Sequence, residues 1–416
     1  MNNKKGSIEM LKEIAGGVCA AKGFQAAGVH CGVKAGSSPD KNDLAMILSE
    51  RECSAAAVYT LNRVKAAPIY VTMGNLEDGV CRGVIANSGN ANACAPQSHE
   101  NAEAMCALAA QATGLKPGDF VVASTGVIGQ ELNISAIEKG MPALASALSG
   151  DGSDAAARAV MTTDTVKKET AVAVAIGGKT VTIGAIAKGS GMIHPNMGTM
   201  LCFITTDCAI TPDVLQDALH DIVPRTFNRV TVDGDTSTND MCVALANGMA
   251  GNEQIEWKDD DYTLFHKALH QVCETMARAI AADGEGASRL VTCTVKAARS
   301  EESAERLAKA VVGSSLVKAA LFGADANWGR VLCAMGYSKA PFRPEYVDIG
   351  FSSIQGSILV CEKGTGLDFD EELAKKILTQ DEVVIEVSLN EGGHEATCWG
   401  CDLTYDYVKI NGDYRT

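Results

Sequence analysis

A threonine hydroxyl becomes a useful nucleophile only when a base takes its proton. One threonine of this chain sits where that base could be its own amine. Gly198-Thr199 lies in "GSGMIHPNMGTMLCFITTD" (Gly189 to Asp207), between a loop holding the turn residues Pro195 and Asn196 and a continuous apolar run. The run from Thr199 to Thr205 reads as a buried strand, too short and too rich in β-formers for a helix. Attack of the Thr199 hydroxyl on the Gly198 carbonyl would give an ester, and its hydrolysis would leave Thr199 as a new N-terminus. The α-amine of that residue, with a reference pKa of about 7.7–8.0, could then act as the base. Glycine before the bond presents no Cβ to the attack, and a turn there can store strain. The strand would hold the new terminus rigidly, as a reacting group requires. On pattern alone, the same dipeptide also reads as a tight loop-to-strand joint.

Other constellations carry less. "DGDTSTND" (Asp233 to Asp240) resembles the start of a calcium loop, but Thr238 stands where that loop needs glycine and Ala244 where it needs glutamate. Thr238 or Asn239 capping a following helix is the simpler expectation. His266 and His270 share one helical face, with no glutamate between them as in the zinc-protease pattern; an ordinary helix surface is expected. His394, Cys398 and Cys401 lack a second ligand pair, so core cysteines beside Trp399 are expected. No phosphate-binding loop or dinucleotide fingerprint is found.

The elements that must position such chemistry follow from composition and periodicity. The chain has 416 residues, 46% hydrophobic, enough for a sizeable core in two or three lobes. Lys and Arg total 36 against 51 Asp and Glu, a net charge of −15 that argues against nucleic-acid binding. No apolar run approaches the ~20 residues needed to span a bilayer. "MNNKKGSIEMLKEIAGG" lacks the apolar core of a secretory signal, so a cytoplasmic protein is expected. Its 15 scattered cysteines are expected to be reduced and mostly buried. Helices are predicted over His99–Leu115, from Asp213 to Val223 after Thr211-Pro212, along the stripe Phe265, Leu269, Val272, Met276 and Ile280, and around Ser303–Leu321. Strands are predicted from Phe120 into a turn ending at Gly129, as a hairpin through Gly177-Gly178, at Asn228–Gly234, and in "RLVTCTVKA", "YVDIGF", "SILVCE" and "EVVIEVSL". Several neighbouring strands have connections too short for a helical crossover, which predicts an α/β fold with mixed or antiparallel sheets layered with helices.

Taken together, the motifs resemble the ornithine acetyltransferase (glutamate N-acetyltransferase) family of cyclic arginine biosynthesis. Besides "AKGSGMIHPNMGTMLCFITTD", the resemblance rests on "GVCAAKGFQAAGVHCGVK", "ANSGNANAC" (Ala86 to Cys94), "ASTGVIG" (Ala123 to Gly129) and "MTTDT" (Met161 to Thr165). "NRVTVDGDTSTND", "DGEGASRL" (Asp283 to Leu290) and the terminal "YDYVKINGDYRT" complete a series that spans nearly the whole chain in order. Three departures are visible: Gly198 where the family usually has alanine, Cys398 where a non-thiol is commoner, and Gly412 for alanine.

The resemblance implies a self-processing N-terminal-nucleophile enzyme. Cleavage between Gly198 and Thr199 would give an α chain, 1–198, and a β chain, 199–416, assembled as α2β2. Thr199 would carry the acetyl group from N2-acetylornithine to glutamate, with Thr125 and Gly126 as the oxyanion hole. Thr162, Lys188, Glu285, Asn411 and Thr416 match the family's substrate-contacting positions, alongside Thr199 itself. A cation such as Lys188 and an anion such as Glu285 complement an amino acid's two charges, and the apolar residues of "YVKING" are expected to dock the tail. No metal or prosthetic group is implied. Some relatives use acetyl-CoA as donor, a point on which no motif here decides. Two rivals stay open: a self-processing aminopeptidase or amidase that passes the acyl group to water, and an uncut amino-acid-binding protein.

Overall fold

Nine strands fall into one sheet because their apolar residues alternate between two buried faces, and helices cover both. The computed structural model describes residues 11–194 and 200–413. The strands of this sheet are β1 (Lys12–Ile14), β2 (Phe24–Val29), β3 (Leu44–Tyr59), β4 (Val80–Asn87), β5 (Phe120–Ser124), β6 (Lys168–Ile176), β7 (Lys179–Lys188), β8 (Leu201–Thr206) and β9 (Met241–Ala246). Their order is β1-β6-β7-β8-β9-β3-β4-β5, with β2 also paired to β3. A second sheet holds β10 (Leu290–Ala298), β11 (Asp348–Ser353), β12 (Gly356–Glu362), β13 (Thr365–Gly366), β14 (Glu382–Ser388) and β15 (His394–Cys401), in the order β13-β12-β11-β14-β10-β15.

Three pairs, β4/β5, β8/β9 and β10/β14, are parallel, and the remaining pairs are antiparallel. The fold is therefore mixed α/β, as expected. Helix α1 (Ala67–Asn75) precedes β4, and α2 (Ser98–Thr113) makes the β4-to-β5 crossover that a parallel pair requires. Helices α3 (Ile134–Ser146) and α4 (Ser153–Ala159) follow, α5 (Pro212–Arg225) joins β8 to β9, and α6 (Asp260–Ala282) leads to the second sheet. On α6, Phe265, Leu269, Val272, Met276 and Ile280 are all buried, in one cluster with Cys202 and Ile204 of β8 and Leu215 and Leu219 of α5. Leu201 and Phe203 face the opposite cluster with α4. Both faces of β8 are thus covered, which is why its sequence reads as a continuous apolar run.

The second sheet is covered by α7 (Glu301–Gly313), α8 (Ser315–Phe322), α9 (Trp328–Gly336) and α10 (Glu371–Leu378); α11 (Tyr405–Asp413) ends the described chain. All 15 cysteines are free thiols, and Cys94 and Cys333 are exposed.

Three expectations are corrected. Asn228–Gly234 is not a strand: a 3-10 turn, Phe227–Arg229, leads to a single bridge from Val230 to Trp399. Arg229, Val230, Thr231 and Val232 are buried in succession, which reads as a buried strand although they form only an isolated bridge. No helix follows Asp240; the wholly buried "MCVALA" forms β9, because a short apolar run carries no periodicity to tell the two apart. The helix over Ser303–Leu321 is two helices broken at Ser314, which is extended (φ −74°, ψ 116°) and caps α8 through its hydroxyl. Helix α11 has no fully buried residue and leaves Val408 69% exposed, with Tyr407 and Ile410 half-buried and Tyr405 edge-on to Phe322; the tail that "YVKING" was expected to dock lies outside the described residues.

Candidate active site

The sheet register brings several elements to one end of the large sheet. Lys188, the last residue of β7, pairs with Leu201, the first described residue of β8, and Leu201 pairs with Met241 at the start of β9. A cavity of about 230 Å³ opens there. Thr125, Gly126, Thr162, Lys188, Glu285 and Asn411 all line it, together with Met200, which follows Thr199 in sequence. Gly198, Thr199 and Thr416 lie outside the described residues. Six of the expected site residues, taken from five separate segments, therefore share one cavity.

The turn after β5 is held by polar side chains of "ANSGNANAC" and "DGDTSTND". Thr125 N–H donates to Asn87 O at 3.0 Å, and Ser124 Oγ donates to Asn87 Oδ1 at 2.7 Å. Asn239 Nδ2 donates to Ala91 O at 2.6 Å and to Ser124 O at 2.9 Å. This is the work of Asn239, in place of the helix cap expected of it. Gly126 has φ +133°, and a Cβ there would stand 2.4 Å from the Gly89 carbonyl carbon, so only glycine fits. The Thr125 N–H is spent, whereas the Gly126 N–H has no acceptor among the described residues. Among the described residues, the Thr125 hydroxyl and the Gly126 N–H thus have no hydrogen-bond partner.

Two opposite charges also line the cavity. Lys188 is 7% exposed and Glu285 8%. Burial pulls the Lys188 ammonium below its ordinary pKa, while Asp164, Glu285 and Asp240 oppose that shift and Lys168 adds to it. Glu285 is tied by its N–H to Ser190 O at 3.1 Å, and its Oε2 accepts from Asn411 Nδ2 at 2.7 Å. Thr404 Oγ1, just before α11, donates to Gly286 O at 2.6 Å. Polar contacts thus join the Tyr405–Phe322 ring contact in seating α11. Gly191 lines the same cavity, and a Cβ on it would lie 2.3 Å from the Glu285 carboxylate.

Sequence reasoning missed the buried ionic residues around this cavity. Lys168 Nζ donates to Asp164 Oδ1 at 2.7 Å and to Asp283 Oδ2 at 2.5 Å. Asp283 also accepts from Thr165 N–H and hydroxyl. Asp233 accepts from Met192 N–H at 2.7 Å and Ile193 N–H at 2.9 Å, which holds the loop that follows β7. That fixed loop, and not a calcium ligand set, is the observed role of the Asp233 carboxylate. The other weak ligand patterns also resolve into ordinary contacts: His266 pairs with Asp221 at 2.8 Å, His270 stands 3.7 Å from Glu274, and Cys398 and Cys401 are buried in the core.

Donors without a partner among the described residues and an opposite-charge pair line one small cavity, an arrangement suited to a small zwitterion and to developing negative charge. A model of the ArgJ family matches residues 25–416, and the chain belongs to that family. It is accordingly an acyltransferase of arginine biosynthesis. The arginine biosynthesis bifunctional protein ArgJ of Symbiobacterium thermophilum is 52% identical over 407 residues, 98% of this chain and 100% of that one. The ArgJ 1 protein of Clostridium acetobutylicum is 50% identical over 394 residues, 94% of this chain and 96% of that one. Among solved structures, the ArgJ protein of Bacillus halodurans is 47% identical, with a TM-score of 0.49, covering 51% of this chain and 98% of that one. An ornithine acetyltransferase from Mycobacterium tuberculosis, complexed with ornithine, is 36% identical with a TM-score of 0.42, covering 45% of this chain and 99% of that one.

Proposed function

We propose that this enzyme transfers an acetyl group from N2-acetylornithine to glutamate through Thr199, after cutting itself between Gly198 and Thr199. The observation that carries this reading is the convergence of Thr125, Gly126, Thr162, Lys188, Glu285 and Asn411 on the cavity lined by Met200. The Thr199 hydroxyl attacks the acetyl carbonyl while the Thr199 α-amine takes its proton. The Thr125 hydroxyl and Gly126 N–H receive the resulting oxyanion. The C–N bond then breaks, and ornithine leaves with the proton returned by the amine. The amine of glutamate attacks the acetyl-threonine ester by the same route reversed, giving N-acetylglutamate. Lys188 takes the substrate carboxylate and Glu285 its ammonium, and Thr162, Asn411 and Thr416 complete the contacts.

This chemistry takes no metal or prosthetic group. Acetyl-CoA enters as a second donor, a role that suits the word bifunctional in the relatives' names. The working assembly is α2β2, in the cytoplasm; among the described residues no helix is long and apolar enough to cross a membrane. The test is the denatured mass profile of purified protein with N-terminal sequencing. Two chains are expected, the second beginning at Thr199 with 416 − 198 = 218 residues. A single uncut chain after prolonged incubation at neutral pH would overturn the reading. Acetyl loss from acetylornithine at equal rates with and without glutamate would point to the amidase instead.

A further inference from the structure

We infer that Asp164 is the positioning residue of this site: a fully buried carboxylate that aims the Lys188 ammonium at the substrate carboxylate without consuming its hydrogen bonds. The inference rests on the acetyl-transfer reading above. The Asp164 side chain has no exposed surface. Its Oδ1 accepts from Lys168 Nζ at 2.7 Å and from Gly189 N–H at 2.7 Å, and its Oδ2 accepts from Thr162 N–H at 3.1 Å. One carboxylate thereby joins the Thr162 loop, the start of β6 and the end of β7. Lys188 Nζ stands 4.0 Å from Asp164 Oδ2, near enough for attraction and too far for a hydrogen bond. Among the described residues Lys188 Nζ makes no hydrogen bond. None of its three N–H donors is taken by a described residue, which suits it to a ligand carboxylate.

The charges around Lys188 explain why this arrangement needs Asp164. Burial disfavours its ammonium, Lys168 repels it, and Asp164, Glu285 and Asp240 attract it, Asp164 most strongly. Lys168 is itself neutralised by Asp164 and Asp283. Burial alone would raise the Asp164 carboxyl, but Lys188, Lys168 and the Gly189 N–H hold it well below the usual carboxylate range, so it stays charged through neutral pH. Without that charge, Lys188 loses its proton at lower pH, and substrate capture fails as the pH rises.

The test uses the mature, cleaved enzyme and compares Asp164→Asn with the parent across pH. An opposite charge at this distance moves a pKa by about 1–3 units. The alkaline limb of kcat/KM for acetylornithine is therefore expected to move at least about one pH unit toward acid. KM near pH 8 should rise about tenfold or more, with kcat changing less. A general loosening of the fold would not move the limb, and a limb superimposable on the parent's overturns the inference. Should Asp164→Asn fail to fold, Asp164→Glu carries the test, because it keeps the charge but displaces the acceptors. The limb should then stay in place while KM rises, and a KM equal to the parent's would overturn the inference. Absence of acetyl transfer by the parent enzyme would instead sink the reaction assignment, so the two failures are distinguishable.

Discussion

At the residue scale, the proposed mechanism divides the cavity lining into groups that would meet developing charge and groups that would meet the bound amino acid. With its N–H committed to Asn87 O, Thr125 has only its hydroxyl to offer an oxyanion. Removing one oxyanion donor typically costs about 10²–10³ in turnover. Thr125→Ala should therefore lower kcat by that order with little change in KM, assayed on the cleaved fraction only. A large rise in KM at constant kcat would place Thr125 in ordinary substrate binding. Gly191 bears on the second group. A methyl group there meets the Glu285 carboxylate at 2.3 Å, and the flexible end of Glu285 is what gives way. Gly191→Ala should leave the melting temperature near the parent's and raise KM about tenfold, through a displaced charge-assisted contact. Unchanged KM would show that Glu285 does not hold the substrate ammonium.

At the element scale, the β5 turn depends on a side chain from the loop before β9. Asn239 binds two carbonyls at once, Ala91 O and Ser124 O, on either side of the donor turn. Replacing it with alanine leaves buried carbonyls unsatisfied, at about 1–3 kcal/mol each. Asn239→Ala should lower stability in urea by that order and lower kcat as well, because the Gly126 N–H loses its aim. A variant with lower stability but parental kcat in the folded fraction would separate the turn from catalysis. The expectation of a cap at Asn239 failed for a related reason. Asn favours helix starts and tight loops alike, and only the distant partner decides between them.

At the scale of the whole molecule, β8 lies inside the large sheet, hydrogen-bonded to β7 on one side and β9 on the other. The proposed cut precedes β8, so the new chains would share the antiparallel β7/β8 ladder and the core that buries both faces of β8. The α and β chains should thus co-elute on native gel filtration after cleavage, at the size of two α and two β chains. They should separate only in denaturant. Chains that part on simple dilution would contradict this account, since the ladder and core would then have failed to hold them.

The sequence by itself determined the elements with strong periodicity and the motifs whose residues are chemically distinctive. The stripe of α6, the hairpin through Gly177-Gly178, the helix after Thr211-Pro212 and the buried run of β8 were all legible, because burial on one face or both leaves a local pattern. Thr125, Gly126, Thr162, Lys188, Glu285 and Asn411 were nameable only through the family resemblance that their motifs carry. What tertiary structure alone decided is the company these residues keep. Asp164 and Lys168 are four apart in sequence but on no common helix, and Asp283 lies over a hundred positions further on. Their union depends on a sheet register and on the end of α6, and neither leaves a trace in the residues near Asp164. The same holds for Asn239 and for α11, which is tied to the site by an Asn411–Glu285 contact. Local pattern reports which side of an element is buried; it carries no information about which distant polar group waits there, because that partner is chosen by topology.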